Sequence, residues 1–128
     1  MFQRAGTSSG GGGSIKSGTL DNITAGSTVT ISTGLSVVNR FVIAMDWVRT
    51  GVSQPISVAV YDRATSDNTY DVATGVNANS GYGGQNRPLG TAISASMCFT
   101  INSVTGGDVS ISIPSTYGSS SYCVWYAE

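Results

Sequence analysis

The sequence predicts an all-β domain: an antiparallel β-sandwich or jelly-roll-like fold of about eight strands, preceded by an extended N-terminal arm. Three observations predict it. Apolar residues alternate with polar ones at period two along several short segments, the pattern of half-buried strands. Clusters of Gly, Pro, Asn and Asp separate those segments at regular intervals, where turns need them. Helical spacing appears over no useful window. At 128 residues the chain fits one domain. A domain of this size buries roughly two-thirds of its unfolded surface without staples.

Residues 1–14, MFQRAGTSSGGGGS, form the arm. Four consecutive glycines between serines let backbones approach one another closely, and Phe2 is its natural apolar anchor. Residues 15–128 form the sandwich. Ile15 to Leu20 reads as the first strand, closed by Asp21-Asn22. Ala25-Gly26 turns the chain into Thr28 to Thr33, where Val29 and Ile31 alternate with threonines. Gly34 punctuates that strand. Val37 to Val48 is the strongest segment, with Phe41, Ile43, Met45 and Trp47 on one face and Val42, Ala44 and Val48 on the other. A strand apolar on both faces is usually central in its sheet.

Gly51 to Pro55 reads as a loop, and Ile56 to Tyr61 as a strand with Ile56, Val58 and Val60 on one side. Asp62 to Asn68 is turn-like, and Thr69 to Val76 is a weaker strand. Asn77 to Gly90 has almost no periodicity and reads as the longest loop, the kind that carries contacts. Thr91 to Val104 reads as one long strand with Ile93, Ala95, Met97, Phe99 and Ile101 on one face. Thr105-Gly106-Gly107-Asp108 signals a hairpin. Val109 to Ile113 follows and Pro114 ends it, because proline cannot donate to a ladder. Tyr117 to Ser121 is a loop. Tyr122 to Tyr126 closes the domain, with Tyr122, Val124 and Tyr126 opposite Cys123 and Trp125.

Composition excludes several functions. Only 10% of residues are charged, against about 25% in ordinary domains. Twenty serines and fourteen threonines take the place of the missing charges. Such a surface repels its own copies weakly, which suits assembly. Six scattered basic residues and a net charge of −1 do not make the cationic cluster that phosphate neutralisation needs, so nucleic acid is set aside. The start lacks the apolar h-region of a secretory signal, so the chain is expected to be made in the cytosol. No window approaches 18 apolar residues, and no membrane partner is expected.

Histidine is absent, which removes the commonest general base and metal ligand. Lys16 beside Ser14 and Ser17 is a poor substitute, with the glycine-rich arm as its support. The acidic residues sit mostly at strand ends, where Asp caps backbone groups, so no carboxylate pair for glycosidase chemistry stands out. Asp46 interrupts an apolar strand, and is expected to pair with Arg49 or Arg40 or to face solvent at the strand end. Asp62, Asp67, Asn68 and Asp71 are the densest oxygen cluster, yet their spacing matches no calcium loop, and a solvated turn accounts for them better. Cys98 and Cys123 lack zinc spacing and read first as buried free thiols, with a disulfide between two strands as the alternative that the sequence leaves open. The expectation is therefore a protein with no enzymatic activity, no catalytic residues, no metal and no cofactor.

Two stretches carry a resemblance. The opening, with its SSGGGGS, resembles the start of many small virion proteins of tailed bacteriophages. The segment GSTVTISTGLSVVNRFVIAMDW, Gly26 to Trp47, is similar to phage and prophage structural proteins in which a strand ends in TGLS and an apolar strand follows. The resemblance covers about a third of the chain and brings no catalytic residues with it. It implies a virion accessory, whether a capsid decoration protein, a head or tail fibre component or a tail accessory. Its partners would be other virion proteins and copies of itself, with a trimer favoured. Phe2, Arg4, Gly10, Gly11, Gly12 and Gly13 are the residues expected to anchor the arm. The alternative is a module that attaches to a host-surface glycan or receptor through Tyr82, Gln85, Asn86 and Arg87. Exposed aromatics beside amides suit sugars, and Tyr61, Tyr70 and Tyr117 are further candidates, although exposed tyrosines serve protein interfaces equally well.

Overall fold

The computed structural model describes residues 14–21, 23–46, 57–64, 69–74, 85–92, 98–115 and 122–128. Nine strands follow one another: β1 (Lys16–Leu20), β2 (Thr28–Ser32), β3 (Arg40–Asp46), β4 (Ser57–Asp62), β5 (Thr69–Thr74), β6 (Gln85–Pro88), β7 (Thr100–Thr105), β8 (Asp108–Ser112) and β9 (Tyr122–Ala127). All pairings are antiparallel. A six-stranded sheet runs β1-β9-β3-β4-β5-β6, and a three-stranded sheet runs β2-β8-β7. No described residue is helical. The all-β sandwich read from the periodicity is therefore the observed fold.

The core lies between the sheets. Phe41, Ile43, Ala59, Tyr61, Tyr70, Cys123 and Ala127 line it from the larger sheet, and Ile31, Ile101, Val109 and Ile111 from the smaller. Both faces of β3 are apolar, and β3 is central, between β9 and β4, as the sequence argues. Phe41 and Ile43 are fully buried and Val42 on the opposite face is 6% exposed.

Three readings are corrected, and one left open is decided. The loop placed at 77–90 is partly strand: Gln85–Pro88 form β6, paired with β5 at the edge of the sheet. Local periodicity is too short there to show a four-residue strand, and Pro88 suits an edge. The strand read at 91–104 is not continuous: Cys98 and Phe99 are outside any strand, β7 starts at Thr100, and Ile93, Ala95 and Met97 lie outside the described residues. Before β7, Pro88 and Thr91 form a turn, with the Thr91 N–H donating to the Pro88 carbonyl at 3.0 Å. A bulge at Asn102 shifts the β7 register between Ile101 and Ser103, so that Ile101 stands opposite Ile111 and Val104 opposite Val109. The strand placed at 37–48 starts at Arg40. In β4 the core face is Ala59 and Tyr61, opposite Ile43 and Phe41, whereas Val58 and Val60 face outward.

The TGLS segment, which leads from β2 towards β3, is clamped onto the β7–β8 hairpin of the smaller sheet. Leaving β2, Thr33 donates both its N–H and its Oγ1 hydroxyl to the Gly107 carbonyl, at 2.9 and 2.7 Å. Its Oγ1 in turn accepts from the Leu35 N–H at 3.2 Å. Gly34 reverses the chain at φ +83°, a conformation glycine adopts without steric cost. The β7–β8 hairpin turns at Gly106, φ +57°, and Gly107. Thr33 is 4% exposed, so its hydroxyl has no ready solvent substitute. Thr33→Val is expected to cost about 2 kcal/mol, because it strips a part-buried carbonyl of one donor and an N–H of its acceptor. Thr33→Ser should cost less. Urea unfolding of the three proteins checks the order.

Candidate partner-binding surfaces

The structure separates the residues proposed for contact. Phe2, Arg4 and Gly10 to Gly13 lie outside the described residues, as does Tyr82. Gln85, Asn86 and Arg87 are consecutive in β6, so the side chains of Asn86 and Arg87 fall on opposite faces of the sheet, and that of Gln85 lies outside the described residues. Asn86 is exposed, and Arg87 stands opposite Tyr70 on the inward side. Tyr61 and Tyr70, offered as exposed aromatics, are 3% and 1% exposed. The Tyr70 hydroxyl instead donates to the Thr91 carbonyl at 2.7 Å, fixing the chain between β6 and β7. Neither ring is available to a sugar. Tyr117 lies outside the described residues.

The Asp62 carboxylate is fully engaged. Its Oδ2 accepts from the Arg40 guanidinium at 3.1 Å and its Oδ1 from the Ala64 N–H at 2.9 Å, an Asx turn that starts the β4–β5 connection. Arg40 is thus the partner of Asp62, while the Asp46 side chain and Arg49 lie outside the described residues. Asp67 and Asn68 lie outside the described residues. Among the described residues no three His, Cys, Asp or Glu come together as a metal-binding group.

Next to this turn the sandwich opens into a cleft of about 350 Å³ lined by Val37, Val38, Tyr61, Arg63, Leu89 and Val104, among others. Its position follows from local chemistry. The Arg63 N–H donates to the Asn39 carbonyl at 2.9 Å, and the Gly90 N–H donates to the Ile101 carbonyl at 2.9 Å, which holds Leu89 beside β7. Val37, 43% exposed, leaves part of this surface open to solvent. An apolar floor with a guanidinium at its rim suits an apolar side chain of a partner. Sequence reasoning missed it, because Val37, Leu89 and Val104 come from segments far apart in the chain.

The outer face of the six-stranded sheet is the second surface. Among the described side chains, one row across it reads Ser17, Tyr126, Val42, Val60 and Asn86, and the next reads Thr19, Val124, Ala44 and Val58. None of these carries a charge. Val124 is 42% exposed. Opposite charges gather at one end, where Arg40 pairs with Asp62 and the Tyr126 hydroxyl donates to the Glu128 carboxylate at 2.7 Å.

Both cysteines are free and buried, as the sequence suggests. Burial pushes the Cys123 thiol from an ordinary 9.0 up to about 12, and raises Cys98 too. Burial is also the main cause raising Tyr70. A thiol with a raised folded value holds its proton after the unfolded chain has lost it. Its stabilisation is full below pH 9 and is lost as the pH rises from about 9 to about 12. Cys123 alone should lower stability by at most about 1.4 kcal/mol per pH unit in that window. Urea midpoints at increasing pH check this, and Cys123→Ala should flatten the slope.

No family model matches the chain, and no curated protein does. Among solved structures, the tailspike protein of the Acinetobacter phage vB_ApiP_P1 is similar over 88% of this chain, with a TM-score of 0.38 and 16% identity. The chain spans about a fifth of that tailspike's length, 20%. No helix among the described residues is long and apolar enough to cross a membrane.

Proposed function

We propose that this chain is a non-enzymatic structural protein of a bacteriophage particle, a capsid decoration, head or tail fibre, or tail accessory protein. It assembles through its sheet surfaces and its 1–14 arm with other virion proteins and with copies of itself, a trimer being favoured. The observation that carries the reading is the outer face of the larger sheet. Among the described residues its rows hold valines, an alanine, hydroxyls and an amide, and no formal charge. Burying such a face against a neighbour desolvates little charge and removes apolar area from water. The phage-like SSGGGGS and TGLS segments supply the kind of particle.

Immunogold labelling of particles purified from producing cells tests it. Regular labelling at one place on the particle is the expected result, and unlabelled particles would overturn the reading. Deleting residues 2–13 should leave the chain folded yet absent from particles, whereas undiminished incorporation would remove the arm from the proposal. Light scattering of full-length protein against a chain starting at Ile15 reports whether the arm holds the copies together.

A further inference from the structure

The sandwich has four edge strands, and they are not equally protected. β6 has only four residues and carries Arg87 and Pro88, which blunt an edge. β7 is bulged at Asn102, and its Ile101 carbonyl already accepts from Gly90. β1 carries Lys16 and has a glycine at its centre. β2, TVTIS, has no charge, no proline, no glycine and an unbroken register with β8.

The orientation of its backbone groups follows from the ladder. Ser27 accepts from Ile113, and Thr33 donates to Gly107, which makes Val29–Ile111 and Ile31–Val109 the hydrogen-bonded pairs. The N–H and C=O groups of Thr28, Thr30 and Ser32 therefore point away from β8. No described residue bonds them, and all three residues are exposed. Three donors and three acceptors thus stand in a row on a flat edge.

We propose that β2 pairs antiparallel with β2 of a second copy about a two-fold axis at Thr30. The strand is a chemical palindrome about that residue: hydroxyl, apolar, hydroxyl, apolar, hydroxyl. In this register Thr30 meets Thr30 of the second copy, Thr28 meets Ser32, and Val29 meets Ile31. Hydroxyls face hydroxyls on the outer side, and apolar residues face each other on the core side. Six backbone hydrogen bonds form. Val29, half-buried in one copy, gains an apolar neighbour. Because β2 has no charge, like meets like without repulsion. The three-stranded sheet becomes a six-stranded one, and both β2 edges disappear. This goes beyond the assembly reading: it adds a two-fold contact through β2 of the smaller sheet, separate from the trimer and from the outer face of the larger sheet. It is tested on isolated full-length protein, so its failure and the failure of the particle reading are separate results.

The test uses the self-opposed position. Sedimentation equilibrium of the full-length protein, over a concentration series reaching roughly the millimolar range, should show a dimerisation step. Thr30→Asp and Thr30→Lys each place like charges opposite one another and should weaken that step about tenfold or more. An equimolar mixture of the two variants should restore it. Circular dichroism melts confirm that each variant folds. Thr30→Cys supplies a second readout. Residues in a hydrogen-bonded antiparallel pair stand about 5.5 Å apart at Cα and carry their side chains on the same face, so a short bifunctional thiol cross-linker should link two copies covalently. Single variants that associate like the parent, a mixture that stays dissociated, or a Thr30→Cys protein that does not cross-link would each overturn the two-fold pairing.

Discussion

Gly107→Ala is expected to cost about 3 kcal/mol and to lower the melting temperature by roughly 12 °C. The hairpin turn presses directly on the TGLS clamp, and a β-carbon at Gly107 would run into the Leu35 backbone, meeting its carbonyl carbon at 3.0 Å and its nitrogen at 3.3 Å. Backbone atoms cannot rotate away as a side-chain tip can. Movement would pull Leu35 from the core and lengthen both Thr33 bonds to the Gly107 carbonyl. The control is Gly26→Ala. There the added carbon meets nothing closer than 3.9 Å, and only the φ of +75° is unfavourable, a cost of about 1 to 2 kcal/mol. Thermal melts that rank the two equally would show that the clamp contributes nothing beyond backbone preference.

Phe41→Ala should be the most damaging single truncation, at about 4 kcal/mol. Phe41 is fully buried at the centre of the larger sheet, opposite Tyr61 on one side and Ala127 on the other. Its ring stacks on Trp125 with centroids 6.2 Å apart and planes 18° from parallel. The indole lies between Phe41 and Gly18, where a β-carbon would stand 2.7 Å from its Nε1. Glycine in β1 thus leaves the room that the indole fills, which explains a glycine inside a strand. Removing the phenyl ring leaves a cavity and frees one side of the indole. Urea unfolding followed by tryptophan emission should show both the lost stability and a red-shifted native spectrum. Phe41→Leu, which retains most of the volume, should recover more than half of the loss.

Much of this architecture was legible in the chain because period two is a local property. Val109 and Ile111, alternating with Ser110 and Ser112, give β8 almost to the residue. Gly106-Gly107 marks the hairpin because a tight turn needs such residues. The two cysteines, each inside an apolar run, are the buried thiols that their surroundings suggest. The contact residues were less legible. Asn86 and Arg87 look alike in a loop, but a strand sends them to opposite faces. Tyr61 and Tyr70 look like a sugar platform, but pairing places them opposite one another inside the core.

Alternation, turn chemistry and low charge by themselves determined that this chain forms an all-β sandwich with a weakly repelling surface. They could not say which apolar side of β4 faces inward, since Val58 and Val60 alternate as well as Ala59 and Tyr61 do. The partner strand decided that, by setting Phe41 against Tyr61 and Ile43 against Ala59. Nor could they say that β9, last in the sequence, lies between β1 and β3, or that β2 ends at an open edge. Strand order is fixed by contacts between residues far apart in the chain, and a hydrogen-bond ladder has nearly the same energy for any pair of such strands. Only the simultaneous packing of both sheets around one core selects among them.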